Sequence, residues 1–73
     1  MSRVGNSLWW DLIRSKQESH GGNITFKEAE SMVFKETYEA AFKEGLGGME
    51  ILKYFEETFG IKYTAYYARL RRI

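Results

Sequence analysis

This sequence predicts an all-α fold, a compact three- to four-helix bundle forming one domain over residues 1–73, and three observations carry that prediction. Glycines punctuate the chain at HGGN, GLGG and the single Gly60, dividing it into four segments. Within the segments apolar residues recur three and four apart, and nothing alternates with a period of two for long enough to make a strand. GNITF is the one β-like fragment. Proline and cysteine are both absent, so the core has no disulfide or thiolate-bound metal to rely on. At 73 residues, aromatic side chains, 16% of the chain, must supply much of the burial.

The first segment opens with Ser7 as a candidate cap, and Leu8, Trp9, Leu12 and Ile13 share one side at about 100° per residue. Trp10 points the other way, beside Asp11 and Arg14. The second segment is the clearest helix. Thr25 followed by Glu28 is a capping box, in which the hydroxyl takes one orphan N–H and the carboxylate another. Good helix formers run from Phe26 to Glu44, and Gly45 or Gly47 ends the run. Its apolar arc holds Phe26, Ala29, Val33, Ala40 and Ala41, with Phe34, Tyr38 and Phe42 further round. Glu28, Lys35, Glu39 and Lys43 occupy the remainder. An arc that wide suits a central helix with neighbours on two sides.

The third segment, about 48–58, buries Leu52, Phe55 and Phe59, with Met49 and Ile51 on its flanks. Glu50 lies in its first turn, where the helix dipole favours negative charge. The fourth, about 63–72, places Tyr66, Leu70 and Ile73 on one face.

Several function classes are not expected. The longest apolar runs, such as Leu8-Trp9-Trp10, are too short to span a membrane, and the opening MSRVGNSLWWDLIRSK lacks a secretory h-region. A cytoplasmic setting is therefore expected, and Asn23-Ile24-Thr25 reads as a helix start, not a glycosylation site. His20 is the single histidine, in a glycine-rich loop with no nucleophile and orienting partner beside it. Glu36, Glu39, Glu56 and Glu57 sit among lysines as a solvated surface, and GLGG has no Lys-Ser/Thr after it to cradle a phosphate. No enzyme, cofactor or metal site is expected.

Charge is distributed unevenly. Residues 61–73 hold Lys62, Arg69, Arg71 and Arg72 and no acid, a net +4, whereas the first sixty hold seven basic and ten acidic residues, a net −3. That is an electrostatic footprint at one end. Phe59-Gly60-Ile61 separates the last two helices in the layout of a DNA-binding helix-turn-helix over about 48–73: two short helices, a glycine turn and an apolar plug.

The stretch MEILKYFEETFGIKYTAYYARLRRI resembles the helix-turn-helix of resolvase/invertase-like and small phage regulator domains. In that resemblance Gly60 is the turn glycine and Ile61 the apolar residue after it. Tyr66 and Leu70 take buried positions of the second helix, Tyr67 its frequent tyrosine, and Arg71 and Arg72 the basic end. Phe55 and Phe59 fall where the first helix buries its side chains. The resemblance implies duplex DNA as partner. With Tyr66, Leu70 and Ile73 inward, Lys62, Tyr63, Thr64, Tyr67, Ala68, Arg71 and Arg72 are the candidate DNA-binding residues.

The residue types suit that chemistry. Arg71 can bond a guanine edge bidentately, Thr64 can meet a base or thymine methyl, and Ala68 permits close approach. Lys62, Arg69 and Arg72 are expected on phosphates. So few contacts call for a homodimer or larger assembly. The expected role is transcription regulation, or a recombination or replication accessory, and a chain this short fits phage, plasmid or viral coding. The alternative is a protein-binding module, a small inhibitor or adaptor, with Trp10 as partner interface beside Tyr54 and Met49. The tyrosines also suit stacking on RNA.

Overall fold

The computed structural model describes residues 4–72, with side chains from residue 8 onward. Four helices follow one another: α1 Val4–Ser19, α2 Phe26–Lys43, α3 Gly48–Phe59 and α4 Tyr63–Leu70. Among the described residues there is no strand, and GNITF runs through the connection to Phe26, the first residue of α2. Both α1 and α4 pack on α2 and α3 and not on one another. α2 therefore has neighbours on more than one side, as its wide apolar arc requires. The radius of gyration is 12.2 Å, near the ~11 Å of a folded domain this long.

Local chemistry sets the boundaries. Thr25 Oγ1 accepts the Glu28 N–H at 3.1 Å, and Glu28 Oε1 accepts the Thr25 N–H at 2.9 Å, completing the capping box. Gly45, not Gly47, ends α2. It takes a left-handed φ of 94°, its N–H donates to the Phe42 carbonyl at 3.0 Å, and the Leu46 N–H donates to that of Ala41 at 3.2 Å. Gly47 instead opens α3, its N–H held by Glu50 Oε1 at 2.7 Å. α1 already runs from Val4, so Ser7 lies inside the helix. A cap needs non-helical backbone, so Ser7 is not one.

Every helix brings a ring to the core. Phe34 stacks on Phe55 at 4.6 Å between centroids, and Tyr66 lies 5.6 Å from the first and 5.5 Å from the second. Trp9 covers Phe55 edge-on at 6.0 Å and Phe59 at 4.9 Å. Ile13 and Ile51 fill the remaining space, both fully buried.

The buried stripe of α3 is therefore Ile51, Phe55 and Phe59, spaced by four. The expected flank residue Ile51 is core, Leu52 is half-buried beside it, and Met49 is 71% exposed. On α2 the arc narrows to Ala29, Val33, Phe34 and Ala41, leaving Ala40 exposed and Phe42 66% exposed. On α1, Trp9 and Ile13 are buried while Leu8 and Leu12 stay exposed. In each case the apolar arc is wider than the contact with the neighbouring helices.

Candidate nucleic-acid interface

The C-terminal element is built by three residues in sequence. Gly60 caps α3 at φ 70°, ψ 18°, a left-handed conformation that costs a side-chain-bearing residue energy. Its N–H donates to Glu56 at 3.0 Å, and that of Ile61 reaches the Phe55 carbonyl at 3.3 Å. Ile61 is buried, filling the angle between α3 and α4. Lys62 then takes the N-cap position of α4 with extended backbone and no side-chain cap bond. The connection is three residues long, within the expected three or four.

α4 shows two contrasting sides. Tyr66 is buried against Phe34 and Phe55, and Ala65 and Leu70 are half-buried. Lys62, Tyr63, Thr64, Tyr67, Ala68, Arg71 and Arg72 are all exposed. Tyr63 and Tyr67 meet edge to face on this outer side, 5.2 Å apart, so each ring restrains the other. The helix stops at Leu70, earlier than the expected Arg72, leaving Arg71 and Arg72 in a final turn. Ile73, assigned to the inner face, lies outside the described residues.

Arg69 departs from expectation. Its terminal nitrogen lies 2.6 Å from Glu30 Oε2 and its Nε 2.9 Å from the same oxygen. Its remaining nitrogen donates to the Ala65 carbonyl at 3.3 Å. Trp9 Nε1 donates to that Glu30 oxygen too, at 3.2 Å. One carboxylate thus ties α1 and α4 to α2. Arg69 is consumed by structure and not free for a phosphate. The free cations of the tail are Lys62, Arg71 and Arg72, none within 4.0 Å of a described carboxylate.

Sequence reading passed over Glu30 and Lys27. Lys27 lines an open surface groove of about 550 Å³ together with Glu28, Ser31, Met32 and Arg72. A sequence separation of 45 hides that neighbourhood, and no local signal announces it. Trp10 is 50% exposed and leans on Phe26 at 4.8 Å. Tyr54 and Leu12 line one groove, in which Trp10 takes no part. His20 is exposed, with Nδ1 3.1 Å from the Lys16 carbonyl oxygen.

Burial pushes the Tyr66 phenol above its ordinary 10.0, helped by the phenols of Tyr38 and Tyr67. The folded protein holds that proton after the unfolded chain has released it. The Tyr66 contribution to stability is therefore full below pH 10.0 and is lost as pH climbs toward the raised folded value. Urea midpoints measured from about pH 8 to 11 should fall less steeply for Tyr66→Phe than for the parent. Parallel curves would refute this.

The chain matches no protein-family model, no curated protein and no solved structure.

Proposed function

We propose that this protein binds duplex DNA through the outer side of α4 and its final turn, as a dimer or within a larger assembly. Its role is that of a regulator of transcription, or an accessory in recombination or replication. The observation that supports the reading most is the exposure of all seven candidate residues on one element whose opposite side is locked into the core. Arg71, Thr64, Tyr67 and Ala68 supply the mixture that base edges require. Lys62, Arg72 and, across the groove, Lys27 supply phosphate contacts. α4 also has no acid in its first turn, so nothing on the helix offsets the positive end of its dipole there.

The test is fluorescence anisotropy against random-sequence duplex DNA across salt concentrations. The three phosphate-contacting cations, Lys62, Arg72 and Lys27, predict a slope of log K against log salt of about −2.7 per protomer, at ~0.9 per neutralised phosphate. Lys62→Ala/Arg72→Ala should flatten it to about −0.9, while Trp10→Ala leaves it unchanged. Absence of binding at low salt would sink the proposal.

A further inference from the structure

A groove of about 570 Å³ runs between α1, α2 and α3, away from the α4 surface. Its floor is Leu12, Ala41, Leu46, Tyr54 and Phe59, and its rim carries Glu36 and Glu44 with no lysine or arginine among the lining residues. Leu12 and Tyr54 remain 37% and 39% exposed, so an apolar floor is left open to water. We infer that this groove receives a basic amphipathic helix of a partner protein, independently of DNA binding by α4.

Three features select that occupant. The walls are helices whose backbone groups are already paired internally, so they offer an extended peptide no edge to bond. A helix brings its own backbone satisfied and needs only an apolar stripe. A small molecule would lack orienting groups: no polar side chain is buried here, and the Thr37 hydroxyl already donates to the Val33 carbonyl at 2.8 Å. The charges decide the rest. Glu36 on α2 and Glu44 at its C-cap stand eight residues apart, about 12 Å at 1.5 Å per residue, and suit cations two turns apart on the incoming helix. Glu36 already pairs with Lys16 at 2.7 Å, so an incoming cation must share it, whereas Glu44 has no described ion-pair partner. A second copy's α4 is basic, but its apolar side, Tyr66 and Leu70, is already engaged in its own core.

The experiment is an amide-resolved NMR titration of the full chain with acetyl-LKKLLKLLKKLLKL-amide and with the same peptide carrying glutamate for every lysine. The basic peptide should shift Leu12, Ala40, Leu46 and Tyr54, binding at least about tenfold more tightly than the acidic one. Ala40→Lys places a cation in the groove at an exposed position, so the fold survives and the basic peptide weakens by roughly tenfold. Equal binding of the two peptides, shifts confined to other surfaces, or indifference to Ala40→Lys would overturn the inference. So would movement of the groove resonances with protein concentration alone, which would assign the face to a second copy.

Discussion

Phe55→Ala is expected to remove most of the stability of this protein, and α4 with it. A 73-residue domain at ~0.05 to 0.15 kcal/mol per residue holds about 4 to 11 kcal/mol in total. Truncating a buried phenylalanine costs about 3 to 5 kcal/mol, combining lost transfer energy with the cavity left behind. Here the loss is spread across every helix, because Phe55 touches Phe34, Tyr66, Trp9 and Phe59. Without it, Tyr66 has one aromatic partner fewer to hold α4 against the bundle. Urea denaturation followed by circular dichroism should show a much lower midpoint or no cooperative transition at all. Phe42→Ala is the control: the ring is exposed, so the change should stay within about 0.5 kcal/mol. A Phe55→Ala loss below about 1 kcal/mol would contradict the packing described here.

Glu30→Ala should cost about 2 to 3 kcal/mol, an unusual sum for one acidic residue on a small helical protein. The carboxylate accepts from Trp9 and twice from Arg69, and hydrogen bonds to charged groups are worth about 1.5 to 3 kcal/mol. Its side chain is 12% exposed and that of Arg69 26%, so water can reach the orphaned guanidinium. The loss therefore falls below the ~3 to 5 kcal/mol of a fully buried broken pair. A double-mutant cycle with Arg69→Ala should return a coupling of about 1 to 2 kcal/mol. A coupling below about 0.5 kcal/mol would reduce the pair to a surface contact. The same variant reports on function, since Glu30→Ala frees Arg69. If the protein stays folded, the salt slope of DNA binding should steepen by about 0.9.

The helix boundaries were legible because their causes are local. Thr25 and Glu28 are three residues apart, Gly45 and Gly60 bear the left-handed φ, and Glu50 reaches only to Gly47. The inner side of α4 was legible for the same reason: Tyr66 and Leu70 fall four residues apart on one face of an eight-residue helix. The sequence by itself thus determined the helical segments, the capping of α2 and α3, and the exposure of the seven candidate residues on and around α4. Tertiary structure alone decided which part of each apolar arc became core. Ile51 won over Met49, and Phe42 and Leu12 were left outside, because neighbouring helices cover only part of an arc. It alone also decided the fate of Arg69, whose partner Glu30 lies 39 residues away on another helix. Charge counted along the chain treats Arg69 and Arg71 alike. Packing separates them, because an ion pair is set by distance in space and periodicity carries no record of it.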